Sequence, residues 1–386
     1  MSNIWRIALV VIWVAFTSAC SSTDDDGPAE LIEFEPERYF QKQWSNAIGN
    51  GQGDIYNRLD PVIDGQVIYV ASVDGDLEAI DLEDGSTLWS LDLDTDLISA
   101  VGFGDGLIAV GSKAGQLILI DANSQEEVWR VQIAGEFVAP PVISEGLIYL
   151  HTVDAKVLAL SSQDGSNVWS YQNTIPVLTL RGTSVPVVYR DTLIVGFANG
   201  RVVGFDSANG SLKWDVRVAI AQGNSEIERI IDVDGKMLIE NDTLYAVSYQ
   251  GRVMAIDPAS GRRIWSREAS SHVGVAKGLG NLYVSSADGN IIAFVQDGRD
   301  VRWEQTILSK RKLTAPLALD DYVIVGDFEG YLHAFTQREG VPAARVQVDD
   351  DGIRVDLIPY KDGFITYTNS GKLVFYTLSE KSGLFW

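Results

Sequence analysis

The chain has 386 residues, 46% hydrophobic and 22% charged, a balance that excludes a wholly disordered chain and allows a large buried core. Lys plus Arg number 30 against 53 Asp plus Glu, and the net charge of −23 repels nucleic-acid phosphates and anionic headgroups alike. A single cysteine, Cys20, excludes an internal disulfide and a Cys-based metal cage, while His151, His272 and His333 share no ligand spacing.

At the N-terminus, Arg6 precedes an uninterrupted apolar run, Ile7–Phe16. A membrane-spanning helix needs about 20 such residues, so this run is too short to span. A charged start, a short apolar core and the small residues Thr17, Ser18 and Ala19 have the layout of a secretory signal peptide over 1–19. Cys20 follows at once. The segment resembles the lipobox of bacterial lipoproteins, in which the signal is cut before a cysteine that is then acylated. That pattern usually has Leu where Thr17 stands. The resemblance implies lipid attachment at Cys20, and Ser21 after it implies the outer membrane, because Asp there goes with inner-membrane retention. Two or more acyl chains anchor stably, so membrane contact runs through the lipid alone. Residues 20–35 are polar and acidic beyond the cysteine and predict a flexible tether.

From residue 36 to 386 the sequence repeats one unit. A turn position recurs at Gly75, Gly115, Ala155, Gly200, Gly251, Gly289, Gly330 and Gly371, at intervals of 40, 40, 45, 51, 38, 41 and 41 residues by subtraction. Fourteen residues after it come Trp89, Trp129, Trp169, Trp214, Trp265 and Trp303, and the series fails at Ala344. A period near 40 is that of propeller blades. In the first unit DPVID, VIYVAS, DLEAID and STLWSLD alternate apolar and polar residues, with Asp-Gly turns at 64–65, 74–75 and 84–85 between them. The fold predicted is all-β, an eight-bladed propeller of four-stranded antiparallel blades. The eighth unit, Asp362–Leu378, supplies only three strands, whereas Tyr39–Ser45 is a spare strand before the first unit. This N-terminal strand is predicted to close the ring as the outer strand of blade eight, with Trp44 in the tryptophan role.

One Trp per outer strand fits packing between blades, with the indole N–H bonded to a neighbour's backbone. The run Ala79, Asp81, Gly85, Trp89, repeated at Ala255, Asp257, Gly261, Trp265, is similar to the tryptophan-docking motif of the pyrroloquinoline-quinone-type propellers, which have eight blades. That family includes quinone-dependent dehydrogenases, which typically use a vicinal disulfide that this chain cannot form. Asp92, Asp94 and Asp96 have the spacing that opens a calcium loop, but Leu97 and Phe103 stand where an EF-hand needs Gly and Glu. His151 and His333 fall at strand positions and read as structural. The chain is therefore expected to be no enzyme and to carry no metal or cofactor.

A binding scaffold remains, and propellers bind through the loops on their faces. From each Trp to the next turn position takes 26, 26, 31, 37, 24 and 27 residues by subtraction. The two long values are neighbours and mark insertions after blades three and four, containing Asn173–Thr183 and Ala221–Asp234. Insertions of this kind usually map to a binding face. The lipobox, acidic tether, eight blades and these loops together resemble BamB, the family of propeller lipoproteins of the outer-membrane β-barrel assembly machinery, over essentially the whole chain. In that family a Leu-x-Leu-Arg-Gly and an Asp-x-Asp segment dock onto the POTRA domains of BamA. By that resemblance Leu178, Leu180, Arg181, Asp232 and Asp234 are the partner-binding residues, and the chain is expected at the outer membrane, facing the periplasm, with unfolded outer-membrane clients as further partners. Alternatively Arg181 bridges to Asp232 or Asp234 within the propeller and shapes the loop. The competing function is a general envelope scaffold with another partner.

Overall fold

The chain is described from a computed structural model over residues 27–53, 58–180 and 182–380. Among these residues there are 32 strands, in eight separate four-stranded sheets, and no helix. Blade one runs from the inside outward through Val62–Asp64, Val67–Ala71, Asp76–Asp81 and Thr87–Asp92. Its neighbouring strands are antiparallel. Blade eight combines Ile358–Tyr360, Gly363–Tyr367 and Lys372–Glu380 with the N-terminal strand Arg38–Ala47. The register of that closing pair runs from Arg38 opposite Glu380 to Ala47 opposite Lys372. Joining the two ends of the chain in one sheet leaves no seam in the ring.

Burial explains the sequence pattern. The two middle strands of each blade face another blade on both sides, so Leu107–Gly111 (LIAVG) and Gln116–Asp121 (QLILID) are nearly continuous apolar runs. Outer strands face solvent on one side and alternate, as Thr87–Asp92 does. The apolar clusters lie between blades: Tyr149, Val157 and Trp169 of blade three pack with Leu193, Val195 and Phe205 of blade four.

The tryptophans do bind the blades together. Indole N–H groups donate to a carbonyl of the next blade from Trp44 (to Leu82, 3.0 Å), Trp129 (to Ser162, 3.0 Å), Trp169 (to Ser207, 2.9 Å), Trp214 (to Pro258, 3.1 Å) and Trp303 (to Gln337, 3.0 Å). The signature glycine is the platform for the preceding blade's indole: a Cβ on Gly85 or Gly210 would stand 2.6 Å from the ring of Trp44 or Trp169. The signature Asp holds the same turn, since Asp81 accepts from the Glu83 amide and Asp257 from the Ala259 amide. In blade two the corresponding turn position is Gln125, at positive φ, instead of a glycine, and Trp89 is only half-buried. At Ala344 no tryptophan is needed, because Phe40 of the closing strand packs edge-on against Phe364 and Tyr376 in the cluster around Ala343 and Ala344.

Connections between blades share one face with the turns between second and third strands. The Leu93 amide donates to Gly75 O (3.1 Å) and the Val218 amide to Gly200 O (2.8 Å), each tying a between-blade connection to such a turn. The predicted tether needs correction over its second half. Residues 29–37 do not stand free: they cross the rim of blade seven, with the Ala29 amide on Ser309 O (2.9 Å) and the Glu37 amide on Ala343 O (3.0 Å). Leu31 and Phe34, read as part of an acidic stretch, are the apolar contacts that hold this path.

Candidate partner-binding loops

The two insertions connect Asn167–Gln172 to Val187–Tyr189 and Leu212–Arg217 to Leu238–Glu240, and lie side by side on the face just defined. The first is fixed at its root. The Asn173 amide donates to Ala155 O (3.0 Å), and Asn199 Nδ2 donates to Asn173 Oδ1 (3.1 Å). Beyond this root the chain exposes apolar side chains in sequence: Ile175, Val177 at 81% and Leu178 at 43%. Leu180 is half-buried. The second insertion carries Ile220, 63% exposed, and Ile227, 67% exposed, on a turn closed by Glu228, which accepts from the Asn224 amide (2.6 Å). Exposed apolar residues concentrated on two adjacent loops mark an interaction surface better than scattered ones do.

The loops are joined from beneath by the Asp-x-Asp segment. Asp232 has no exposed surface, and its Oδ2 accepts the Leu180 amide at 2.5 Å. The Asp232 carbonyl accepts the Tyr249 amide (2.9 Å), which ties the second insertion to blade five. Val233 is fully buried against Gly196 of blade four. Asp234 sits against Gly182, so closely that a Cβ there would meet its Oδ2 at 2.7 Å. Burial pushes the Asp232 carboxyl up to about 7, against the pull of the Leu180 amide. Burial, and then the neighbouring Asp232, raise Asp234 well above the usual carboxylate range. Among the described residues, Asp232 Oδ1 and Asp234 Oδ2 are enclosed without a hydrogen-bond partner. A buried carboxylate in that condition needs a proton or a cation.

Of the residues singled out in the sequence, Leu178, Leu180, Asp232 and Asp234 therefore come together on one structure. Leu178 is outward, Leu180 lies between, and Asp232 works from within. Arg181 and Cys20 lie outside the described residues. The more exposed members of the apolar set, Val177, Ile220 and Ile227, were missed. The signal for them was apolar residues in segments with no strand alternation.

Elsewhere His151 has a structural place. His151 is buried, with Nδ1 3.3 Å from Ser184 O and its ring edge-on to Phe197. The one acidic group that could gather about a cation among the described residues is Asp349, Asp350 and Asp351. Burial would raise Asp349, but the hydroxyls of Ser370 and Thr368 and the amides of Asp351 and Asp350 outweigh it and hold the carboxyl low. Those bonds organise a turn.

Residues 37–100 and 73–305 match the family described as outer membrane protein assembly factor BamB. A protein of that description from Pseudomonas aeruginosa is 52% identical over 376 residues, covering 97% of this chain and 99% of its own. Another, from Marinobacter adhaerens, is 44% identical over 371 residues, covering 95% of each. The crystal structure of BamB from Moraxella catarrhalis is similar with a TM-score of 0.80 at 25% identity, over 88% of this chain and 99% of that one. A quinohemoprotein alcohol dehydrogenase from Pseudomonas putida has a TM-score of 0.69 at 13% identity, a likeness of fold alone. Near-complete coverage at such identity settles membership: this chain belongs to the family of outer membrane protein assembly factor BamB.

Proposed function

We propose that the chain is a non-enzymatic scaffold of the machinery that assembles β-barrel proteins in the outer membrane. The names of its relatives, outer membrane protein assembly factor, support a role in that machinery and a place at that membrane. In the finer reading, residues 1–19 are removed as a signal peptide. Acylated Cys20 holds the propeller of residues 36–386 on the periplasmic side. The two insertions bind the POTRA domains of BamA, and unfolded β-barrel clients come within reach of the same assembly.

The observation that carries this reading is the exposed apolar set Ile175, Val177, Leu178, Ile220 and Ile227 on two loops that Asp232 ties together. Apolar anchors on a held loop are what a hot spot requires, because less freedom is lost on binding. Leu178 is the contact residue of the proposal and Leu180 its half-buried companion. Asp232 and Asp234 shape the loops, and Arg181 is carried over from the family resemblance as a donor to the partner or to these carboxylates. The test is purification of the full chain from its own membranes in mild detergent. A BamA-type barrel should come with it in stoichiometric amount. A different envelope partner in its place supports the general-scaffold reading, and quinone-dependent dye reduction by the pure protein supports the enzyme reading.

A further inference from the structure

The segment before the closing strand is built into blade seven through a buried charged cluster. Arg311, on the connection between blades six and seven, donates through Nε to Asp327 Oδ2 (2.7 Å) and pairs with Glu329. His333 Nε2 lies 3.0 Å from the same Asp327 oxygen, and Arg345 Nε donates to His333 Nδ1 (3.2 Å). Arg311, Asp327 and His333 are almost wholly buried. Each arginine then spends a remaining donor on the N-terminal segment: Arg311 Nη1 on Ala29 O (3.1 Å) and Arg345 Nη1 on Ile32 O (2.8 Å). Leu31 packs on the core between blades six and seven beside Leu308 and Leu313. The Phe34 ring lies 5.1 Å below the Arg345 guanidinium, and Tyr322 donates to Glu37 Oε1 (3.1 Å).

These contacts order the path. Glu37 meets the start of the outer strand Pro342–Gln347, and Ala29 meets Ser309 on the connection between blades six and seven. That connection shares its face with the insertions containing Leu178 and Ile220. We propose that residues 29–37 are a docked strap that delivers the anchored end of the chain to the loop-bearing face and turns that face toward the lipid surface. This rests on the lipid-anchor reading of Cys20. Nine chain steps separate Cys20 from Ala29 by subtraction. They reach at most about 32 Å at 3.3–3.6 Å each, so the exit point of the strap limits how the propeller can stand.

The experiment uses the full mature chain, as made in cells, in vesicles of phosphatidylethanolamine and phosphatidylglycerol with an acceptor dye on a fraction of headgroups. A donor dye is placed at Ile220→Cys on the loop face or Glu126→Cys on the opposite one. The faces stand about 20 Å apart along six-residue strands at about 3.3 Å per residue, so transfer from position 220 should be roughly twofold higher. In a Leu31→Glu, Phe34→Glu variant the difference should vanish, and Arg345→Ala should reduce it. Equal transfer from both positions in the bound wild type, or a difference that survives strap release, overturns the proposal. Chain found without acyl groups and free in solution overturns the anchor reading alone. Docking is then read by hydrogen exchange: slow Ala29 and Glu37 amides that become fast in the variants support the strap, and fast amides in the wild type refute it.

Discussion

Trp44→Ala is expected to open the ring. Trp44 is the only tryptophan on the closing strand; it is 8% exposed, packs with Phe375 at 6.0 Å and covers Gly85 of blade one. Its N–H reaches Leu82 O at 3.0 Å, so one ring joins blade eight to blade one. Removing a buried indole costs about 3–5 kcal/mol in lost burial and cavity, and the orphaned Leu82 carbonyl adds about 1 kcal/mol. The entropy of unfolding a domain of roughly 340 residues converts about 4 kcal/mol into a fall of about 5–6 °C in Tm. The assay is thermal unfolding of the soluble chain, followed by near-UV circular dichroism. Trp89→Ala is the comparison, because Trp89 is half-buried and has no glycine platform. It should cost less than half as much. An unchanged Tm for Trp44→Ala, or a larger fall for Trp89→Ala, would refute the view that this indole seals the ring.

Glycine platforms can be separated from glycine turns: Gly210→Ala puts a Cβ 2.6 Å from Trp169 and should cost about 2–4 kcal/mol, whereas Gly65→Ala, with open space around it, should cost only the left-handed backbone term of about 1 kcal/mol. Equal losses in denaturant titrations would contradict the platform role. Burial holds the His151 imidazole down at about 4, so the unfolded chain binds its proton near 6.5 and the folded chain does not. Stability should therefore be complete above pH 6.5 and decline by about 3 kcal/mol toward pH 4 on account of this group. The gap between wild type and His151→Gln in urea unfolding should shift by that amount across the window, and a constant gap would contradict it. Cys20→Ala should abolish palmitate labelling and leave the precursor uncut; a labelled variant would exclude acylation at this position.

The period of the repeat was legible because a blade must place one apolar pair of strands and one docking tryptophan at fixed spacing, and the short eighth unit with its spare N-terminal strand fixed the closure. Trp44 could be assigned from that arithmetic alone. Two features were not legible. The strap alternates Leu31 and Phe34 with carboxylates, and nothing local says that Arg311 and Arg345, some 280 and 310 residues away by subtraction, supply its carbonyls with donors. Asp232 read either as a partner contact or as an internal bridge to Arg181, and the sequence did not decide between them. The burial of Asp232 follows from Val233 packing on Gly196, a contact between the insertion and the blade it follows that no spacing reveals. The exposure of Val177 is equally a matter of where the root bonds at Asn173 aim the loop.

The central claim is that the apolar set on the two insertions is the partner surface. Its most direct measurement is calorimetric titration of the soluble propeller, lacking residues 1–20, against a BamA periplasmic fragment containing the POTRA domains. Leu178→Glu places a charge in a contact that must lose its water, a cost of a few kcal/mol, so affinity should fall by roughly a hundredfold. Val177→Glu should fall comparably, while Glu126→Ala, on the opposite face, should bind as the wild type does. Wild-type affinity in folded Leu178→Glu and Val177→Glu variants would contradict the account.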